Sequence, residues 1–308
     1  MFVSVSRRTD IPAFYAPWFM GRVREGFCLV PNPYDARRFS RVPLSPRDAE
    51  LILFWSKNPA PLLPCLDELD ARGYAYAFTF TLTPYGPELE PGLPDAGARV
   101  ETFERLSQRL GPLRVDWRYD PVLLDARFTV SYHEERFARL CERLAPLTTR
   151  CIFSFADPYP HLHGRVRPAP EGEMRVLAAA LVRIGSAHGL ALETCCERID
   201  LSDLGIAHGA CVDAGRAARI LGRPVSAAHD AGQRPGCGCV RSVDIGAYDT
   251  CPGGCAYCYA THAAARSRAR YAAHDPAAPS LTGPLPSGAR VDERAMPPLC
   301  EAQTRLPL

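Results

Sequence analysis

The stretch Tyr74-Ala-Tyr-Ala-Phe-Thr-Phe-Thr-Leu-Thr83 has the clearest strand pattern in the chain. Its aromatic and β-branched residues favour an extended strand, and the run ends at the turn signal Pro84-Tyr85-Gly86. A helical pattern over 96–110 follows, with apolar side chains recurring at helical spacing. Those side chains are Val100, Phe103, Leu106 and Leu110. One strand followed by one helix is the repeating unit of parallel α/β sheets.

The same alternation extends from this stretch in both directions. Seven further short apolar runs bounded by turn residues predict strands, over 2–6, 27–31, 51–55, 113–117, 151–155, 190–195 and 241–246. Helical patterns fall between most of them, over 13–25, 60–72, 132–144, 171–188 and 259–271. Eight strands alternating with helices predict an α/β fold, a TIM-like (β/α) barrel that is closed or partly open. A doubly wound open sheet is the alternative.

The chain divides into three predicted segments. Residues 1–230 form the body of the barrel, and the Cys-rich segment 231–272 completes it and carries a cysteine loop at its C-terminal end. Residues 273–308 are rich in Pro, Ala and Gly and have no hydrophobic periodicity, so we expect a flexible tail.

Composition limits the classes of function. The net charge of +2 neither requires nor excludes a nucleic-acid partner, and no apolar run reaches the length of a membrane span. The N-terminus lacks the apolar core of a signal peptide, and thirteen cysteines outside a secretory context favour metal binding over disulfides. We therefore expect a cytoplasmic protein with no membrane partner.

Three cysteines near the C-terminus are the strongest chemical signal. They form the loop Cys251-Pro-Gly-Gly-Cys255-Ala-Tyr-Cys258. Cysteine thiolates are the usual ligands of iron–sulfur clusters, and three of them leave one iron of a [4Fe–4S] cluster open. The spacing, with Tyr257 before the last cysteine, resembles that of radical S-adenosylmethionine (SAM) enzymes, which cleave SAM at such an iron. A structural zinc knuckle or buried free thiols would also fit these residues.

A second group of cysteines lies upstream. Cys195, Cys211, Cys237 and Cys239 form a possible second metal site, and Cys196 is an alternative to Cys195. The group suits an auxiliary iron–sulfur cluster or a zinc ion, and free buried cysteines remain an alternative. Four other cysteines lie in apolar strand or helix patterns and are predicted to be core residues, namely Cys28, Cys65, Cys141 and Cys151.

Polar residues follow several predicted strands at their carboxyl ends, where a barrel places its active site. Lys57 is the only lysine among 36 basic residues, which hints at a specific role for it and for the adjacent Asn58. Asn32 is read as another such exit. The candidate catalytic residues at the substrate mouth are Lys57, Asn58, Arg118 and Asp120.

Several motifs together resemble the bacterial domain of unknown function 1848 family. They are Ser6-Arg7-Arg8-Thr9-Asp10-Ile11-Pro12, Phe54-Trp55-Ser56-Lys57-Asn58-Pro59, Trp117-Arg118-Tyr119-Asp120-Pro121 and a C-terminal run from Gln233 through Asp244-Ile-Gly-Ala-Tyr248 to Cys258-Tyr259-Ala260. The resemblance covers nearly everything before the tail. It implies a C-terminal cysteine cluster like the N-terminal one of radical SAM enzymes, with Cys251, Cys255 and Cys258 as ligands, and implies no known reaction.

The cysteine loop thus follows the last strand, whereas in ordinary radical SAM enzymes it follows the first. A barrel resolves this difference if strand 241–246 lies beside strand 2–6. Asp10 would then be placed to accept the SAM ammonium, with Arg7 beside it and Tyr257 next to the adenine.

The sequence therefore predicts an iron–sulfur enzyme of radical SAM type with a [4Fe–4S] cluster, bound SAM, an external electron donor and an unknown substrate, either a small molecule or a macromolecule. One alternative is a non-catalytic barrel stapled by zinc or iron–sulfur that binds a phosphorylated or nucleic-acid partner through its arginines. Another is a redox or sulfur-transfer protein that uses a cluster without SAM.

Overall fold

The computed structural model describes residues 1–301. Its strands, in chain order, are β1 (Phe2–Val5), β2 (Phe27–Asn32), β3 (Asp35–Pro43), β4 (Leu51–Ser56), β5 (Tyr76–Thr81), β6 (Val115–Val122), β7 (Arg150–Phe155), β8 (Ala191–Cys195), β9 (Ala207–Gly209), β10 (Ser242–Asp244) and β11 (Arg290–Glu293). Its α-helices are α1 (Ile11–Phe14), α2 (Ala16–Glu25), α3 (Leu66–Ala71), α4 (Ala96–Leu110), α5 (Val130–Leu144), α6 (Glu171–Ala187), α7 (Ala214–Leu221) and α8 (Ala264–Ala272).

Eight strands form one parallel sheet in the order β10-β1-β4-β5-β6-β7-β8-β9. Helices connect most of these strands, as parallel pairing requires. The predicted α/β class is therefore confirmed. Within the part of the chain that the structure describes, the hydrogen-bonded sheet ends at β10 on one side and at β9 on the other.

The predicted strand over 27–31 forms, but its place in the barrel is wrong. β2 pairs antiparallel with β3, and β11 completes a separate three-stranded sheet. Only two residues separate β2 from β3, and a connection that short forces an antiparallel hairpin. Asn32 lies at this turn, where its Oδ1 accepts the Tyr34 N–H at 2.8 Å, and is therefore not a barrel exit. The short strand β9 supplies the eighth strand of the main sheet.

Aromatic side chains pack the helices onto the sheet. The helix predicted over 96–110 is confirmed as α4, and its Phe103 packs on Phe80 of β5 with ring centres 5.3 Å apart. Phe137 of α5 stacks on Trp117 of β6 at 4.8 Å and 14°. These four rings are fully buried, so the helical and strand periodicities read from the sequence are those of one shared core.

The segment after residue 272 does not behave as the flexible tail predicted over 273–308, as far as residue 301. Leu281 and Leu299 are buried, and the Trp18 indole N–H donates to the Ala278 carbonyl at 2.9 Å. The backbone N–H groups of Leu299 and Cys300 donate to the buried Glu50 carboxylate at 2.7 and 3.1 Å. Isolated apolar residues between prolines anchor this segment, and such anchors leave no periodic pattern in a sequence. Residues 302–308 lie outside the described part.

Candidate functional site

The first and last strands of the predicted barrel lie side by side, as expected. β10 pairs with β1 in parallel, with Phe2 opposite Ser242 and Ser4 opposite Asp244. The Asp244 carboxylate then accepts hydrogen bonds from the Ser4 and Ser6 hydroxyls at 3.0 and 2.7 Å. The predicted pairing of strand 241–246 with strand 2–6 is confirmed, and it brings the C-terminal cysteine loop to the exit of the first strand.

Hydrogen bonds attach this loop to two neighbouring segments. The Tyr15 hydroxyl donates to the Thr250 carbonyl at 2.6 Å, and the Thr250 hydroxyl lies 2.6 Å from that of Thr9. On the other side, the Gly92 N–H donates to the Gly253 carbonyl at 3.0 Å. A Cβ on Gly92 would lie 2.7 Å from that same carbonyl oxygen, so only glycine permits this approach.

Cys251, Cys255 and Cys258 are partly exposed on the loop. Burial of the sulfur raises the pKa of Cys251 to about 12, although the backbone N–H groups of Asp10 and Gly253 point at it and oppose the rise. Burial also raises the pKa of Cys255 well above its ordinary value, against the attraction of Lys57. A metal centre here would have to displace protons from these two thiols.

Lys57 lies beside the cysteine loop and belongs to a buried ionic group. Its ammonium is 2.9 Å from the Glu90 carboxylate, whose other oxygen is 3.0 Å from the Arg99 guanidinium. The Tyr257 and Thr83 hydroxyls both donate to Glu90. Burial alone would raise the pKa of Glu90, but Lys57 and Arg99 outweigh it and hold that pKa below its usual value. The loop residue Tyr257 is thus tied to the ionic group.

Arg7 and Arg118 both lie near the ring of one tryptophan. Their guanidinium carbons are 5.1 and 5.7 Å from the centre of the Trp55 ring, within cation–π range. Arg118 also donates to Asp120 at 3.0 Å and to the Cys211 sulfur. One nitrogen of Arg7, Nη2, is buried without a hydrogen-bond partner. The Tyr259 hydroxyl donates to the Arg7 carbonyl, which connects this pair to the cysteine loop.

The remaining predicted site residues have local partners. Asp10 caps α1 by accepting the Ala13 N–H at 3.1 Å, and it also accepts from the Ser56 hydroxyl and the Lys57 N–H. Burial nevertheless raises the pKa of Asp10. Asn58 Oδ1 accepts the Ala60 N–H at the start of a short 3₁₀ helix, Ala60–Cys65. Asp120 accepts from Arg118 and from the Ser154 hydroxyl. Roles of Asp10 and Asn58 toward a cofactor or substrate stay predictions.

The upstream cysteines converge. The sulfurs of Cys195, Cys211 and Cys239 lie within 4.8 Å of one another, all three residues are buried, and the group can hold a metal ion. The Cys195 and Cys211 sulfurs are 2.9 Å apart, and the buried Cys237 lies one glycine before Cys239. The neighbouring residue Cys196 has a φ of 58° and directs its sulfur to the Pro235 carbonyl at 3.7 Å. The member of the pair in the group is therefore Cys195.

Three residues at the mouth were not predicted from the sequence to be site residues. Glu90 lies between β5 and α4 in a segment with no periodicity, and Trp55 and Tyr259 stood inside motifs without an assigned role. Glu197, two residues after the end of β8, has a pKa that burial raises to about 7, against a hydrogen bond from the Phe155 N–H. A signal for Glu90 existed only in the need of a buried lysine for a counter-charge.

All thirteen cysteines are free. No helix in the described range 1–301 is long and apolar enough to cross a bilayer. These two findings concern all the described residues. The candidate site itself consists of the two cysteine groups and the charged residues between them.

Comparison with known proteins gives a family and little else. No curated protein matches the chain. Among solved structures, the chain is similar to one described as "a putative alpha-L-fucosidase from Bacteroides thetaiotaomicron VPI-5482", at 11% identity and a TM-score of 0.28. The alignment covers 68% of this chain and spans 60% of that one, and a likeness this weak carries no argument. The family model described as "Domain of unknown function (DUF1848)" matches residues 2–260, so the chain belongs to this family.

Proposed function

We propose that the chain is an iron–sulfur enzyme of radical SAM type, with Cys251, Cys255 and Cys258 as the ligands of a [4Fe–4S] cluster. The observation that carries the proposal is the parallel pairing of β10 with β1. Because of it, the cysteine loop that follows β10 lies at the exits of β1 and β4, next to Arg7 and Lys57. This is the end of the sheet where α/β proteins bind their ligands.

The arrangement of the three sulfurs fits a cluster better than one ion. A zinc ion binds each sulfur at about 2.3 Å, which holds four tetrahedral ligands within about 4 Å of one another. Within residues 1–301, the three cysteine sulfurs that lie within 4.8 Å of one another are those of Cys195, Cys211 and Cys239. The three loop cysteines do not form such a group. In a cluster each cysteine binds a different iron, so the sulfurs stand further apart.

A bound cluster with an open iron would supply reductive cleavage of SAM. The chain's own residues would shape the surroundings. Lys57 and Tyr257 hold Glu90 beside Cys255, which keeps this wall of the site charged and ordered. Arg7 and Arg118 present guanidinium groups at the same mouth, where they suit a substrate with carboxylate or phosphate groups.

Metal analysis of anaerobically purified protein tests this proposal. Wild-type protein should be brown and contain about four irons and four acid-labile sulfides at Cys251, Cys255 and Cys258. Replacing all three cysteines by Ala should remove both, whereas Cys141→Ala, a buried helix cysteine far along the chain, should retain them. A colourless wild-type protein that takes up no iron on reconstitution would refute the proposal.

A zinc-stapled barrel is a second candidate function, and the convergence of Cys195, Cys211 and Cys239 favours it. The two candidates use different cysteines and are compatible with each other. A cluster protein that works without SAM is separated from the first candidate by an assay for 5′-deoxyadenosine, which only reductive SAM cleavage produces.

A further inference from the structure

Four buried cysteines meet at the place where the two edges of the main sheet come together. Cys195 ends β8, Cys211 follows the edge strand β9 by two residues, and Cys239 precedes the other edge strand β10 by three. Cys237 is the fourth, one glycine before Cys239. All four residues are buried. Cys195 and Cys211 therefore belong to the β8–β9 edge, where Cys195 pairs with Gly209, and Cys237 and Cys239 belong to the segment that leads into β10. No strand ladder joins these two edges within the described residues.

We propose that Cys195, Cys211, Cys237 and Cys239 bind one tetrahedral metal ion, zinc by the chemistry of the site, and that this ion closes the sheet between β9 and β10. The proposal is independent of the cluster at the C-terminal loop, because the two sites share no ligand. It selects the zinc ion over the auxiliary iron–sulfur cluster, both of which the sequence left open.

The distances favour a single ion. Three sulfurs lie within 4.8 Å of one another, and Cys195 and Cys211 are 2.9 Å apart. Tetrahedral zinc with bonds of about 2.3 Å needs sulfurs about 3.8 Å apart, so small shifts of these side chains would complete the site. A four-iron cluster would require the same sulfurs to move apart inside a buried core. Four thiolates with no open position are typical of structural zinc.

The surrounding charges fit the anion that this site would form. One divalent ion and four thiolates carry two negative charges in total, and two guanidinium groups are in place to offset them. Arg118 donates to the Cys211 sulfur, and the Arg7 guanidinium lies over the same Trp55 ring as that of Arg118. The buried Nη2 of Arg7 has no partner in the protein, and metal-bound thiolates would supply an acceptor.

Backbone contacts show how the ion would act on the fold. The Val240 N–H donates to the Val212 carbonyl at 3.0 Å, and the Val212 N–H lies 3.4 Å from the Cys239 sulfur. These bonds connect the segment before β10 to the segment after β9. Binding converts up to four thiols to thiolates and releases their protons, with no change of oxidation state. The ion would thus replace the missing strand ladder with four metal–sulfur bonds.

Cobalt substitution of metal-free protein tests the site directly. The background is the triple variant Cys251→Ala, Cys255→Ala, Cys258→Ala, which removes the three loop thiols and keeps the four upstream ones. One equivalent of Co²⁺ should give the intense visible bands and thiolate charge-transfer bands of tetrahedral cobalt with four sulfurs. Adding Cys239→Ser should abolish or shift these bands, and adding Cys141→Ala should leave them unchanged. Octahedral cobalt in the background variant would overturn the proposal.

Zinc content of the wild-type protein gives a second readout that does not depend on a variant folding. We expect one zinc per chain in addition to the iron, and its removal by a chelator should raise the rate of proteolysis between residues 196 and 241. Two iron–sulfur clusters per chain with no zinc, before and after reconstitution, would contradict the single-ion site. A Cys195–Cys211 disulfide in freshly purified, metal-free protein would contradict it as well.

Discussion

Glu90 is the residue on which the charges around the cysteine loop depend. It is 2% exposed and faces two cations, Lys57 and the equally buried Arg99. The sequence indicated that Lys57 has a special role, because one lysine persists among 36 basic residues, and the structure places it beside the loop. The partner could not be predicted, because a lone carboxylate in an aperiodic segment looks like any surface residue.

Replacing Glu90 by Ala should destabilise the protein strongly. The change leaves Lys57 and Arg99 buried without their counter-ion, and breaking a buried ion pair in this way costs about 3–5 kcal/mol. The measurement is the free energy of unfolding in urea. Glu88→Ala is the matched control, since Glu88 is exposed and its ion pair with Arg127 at 3.6 Å should contribute less than about 1 kcal/mol. Lys57→Met added to Glu90→Ala should recover part of the loss, and a cost for Glu90→Ala no larger than the control's would contradict this account.

At the scale of elements, the cysteine loop is positioned by a close contact between two backbone segments. Gly92 lies against Gly253, and a Cβ at position 92 would lie 2.7 Å from the Gly253 oxygen. The motif spacing of the loop was legible in the sequence, but this contact was not. A long-range approach between two glycines has no pattern of its own, because each looks like an ordinary turn residue.

Gly92→Ala should therefore displace the loop and lose most of its iron while the protein stays folded. The physical reason is the backbone overlap, which the loop can relieve only by moving away from the segment of Leu89 to Gly92. Iron and sulfide content per chain, with circular dichroism for the fold, measures the effect. Gly172→Ala is the control, because a Cβ there meets nothing within 4 Å. Full iron content in Gly92→Ala would show that the contact does not position the loop.

The packing of α5 against β6 depends on a neutral histidine. His133 is fully buried, with Nδ1 2.7 Å from the Tyr119 hydroxyl and Nε2 2.7 Å from the Leu123 carbonyl. A carbonyl only accepts, so Nε2 carries the proton and Nδ1 accepts from Tyr119. Burial lowers the pKa of His133 from 6.5 to about 4.

Stability should consequently fall on acidification below pH 6.5. The unfolded chain binds a proton at His133 near pH 6.5 while the folded chain does so only near pH 4, so the native state loses stability across that window. Between pH 7 and pH 5 this amounts to about 2 kcal/mol. His133→Gln, which cannot titrate, should show a correspondingly smaller difference between urea unfolding at the two pH values. An equal pH dependence in both proteins would exclude a neutral His133 as the cause.

For the whole molecule, the sequence predicted the α/β class and the pairing of strand 241–246 with strand 2–6, which places a C-terminal loop at the first strand. Strong local periodicity and the shared direction of parallel strands were sufficient for that. The sequence did not predict three features, namely the antiparallel hairpin of β2 and β3, the short edge strand β9 and the packed segment 275–301. Each depends on a turn or on isolated long-range contacts, which local patterns do not encode.

The central claim is that the loop after β10 holds a cluster with one open iron at the mouth of this sheet. The most direct measurement is the electron paramagnetic resonance spectrum of the reconstituted, dithionite-reduced protein before and after addition of SAM. A spectrum of a reduced [4Fe–4S] cluster that changes with SAM, and that is absent from the variant lacking Cys251, Cys255 and Cys258, is the predicted result. A cluster signal that persists in that variant, or a wild-type signal that SAM leaves unchanged, would contradict the claim.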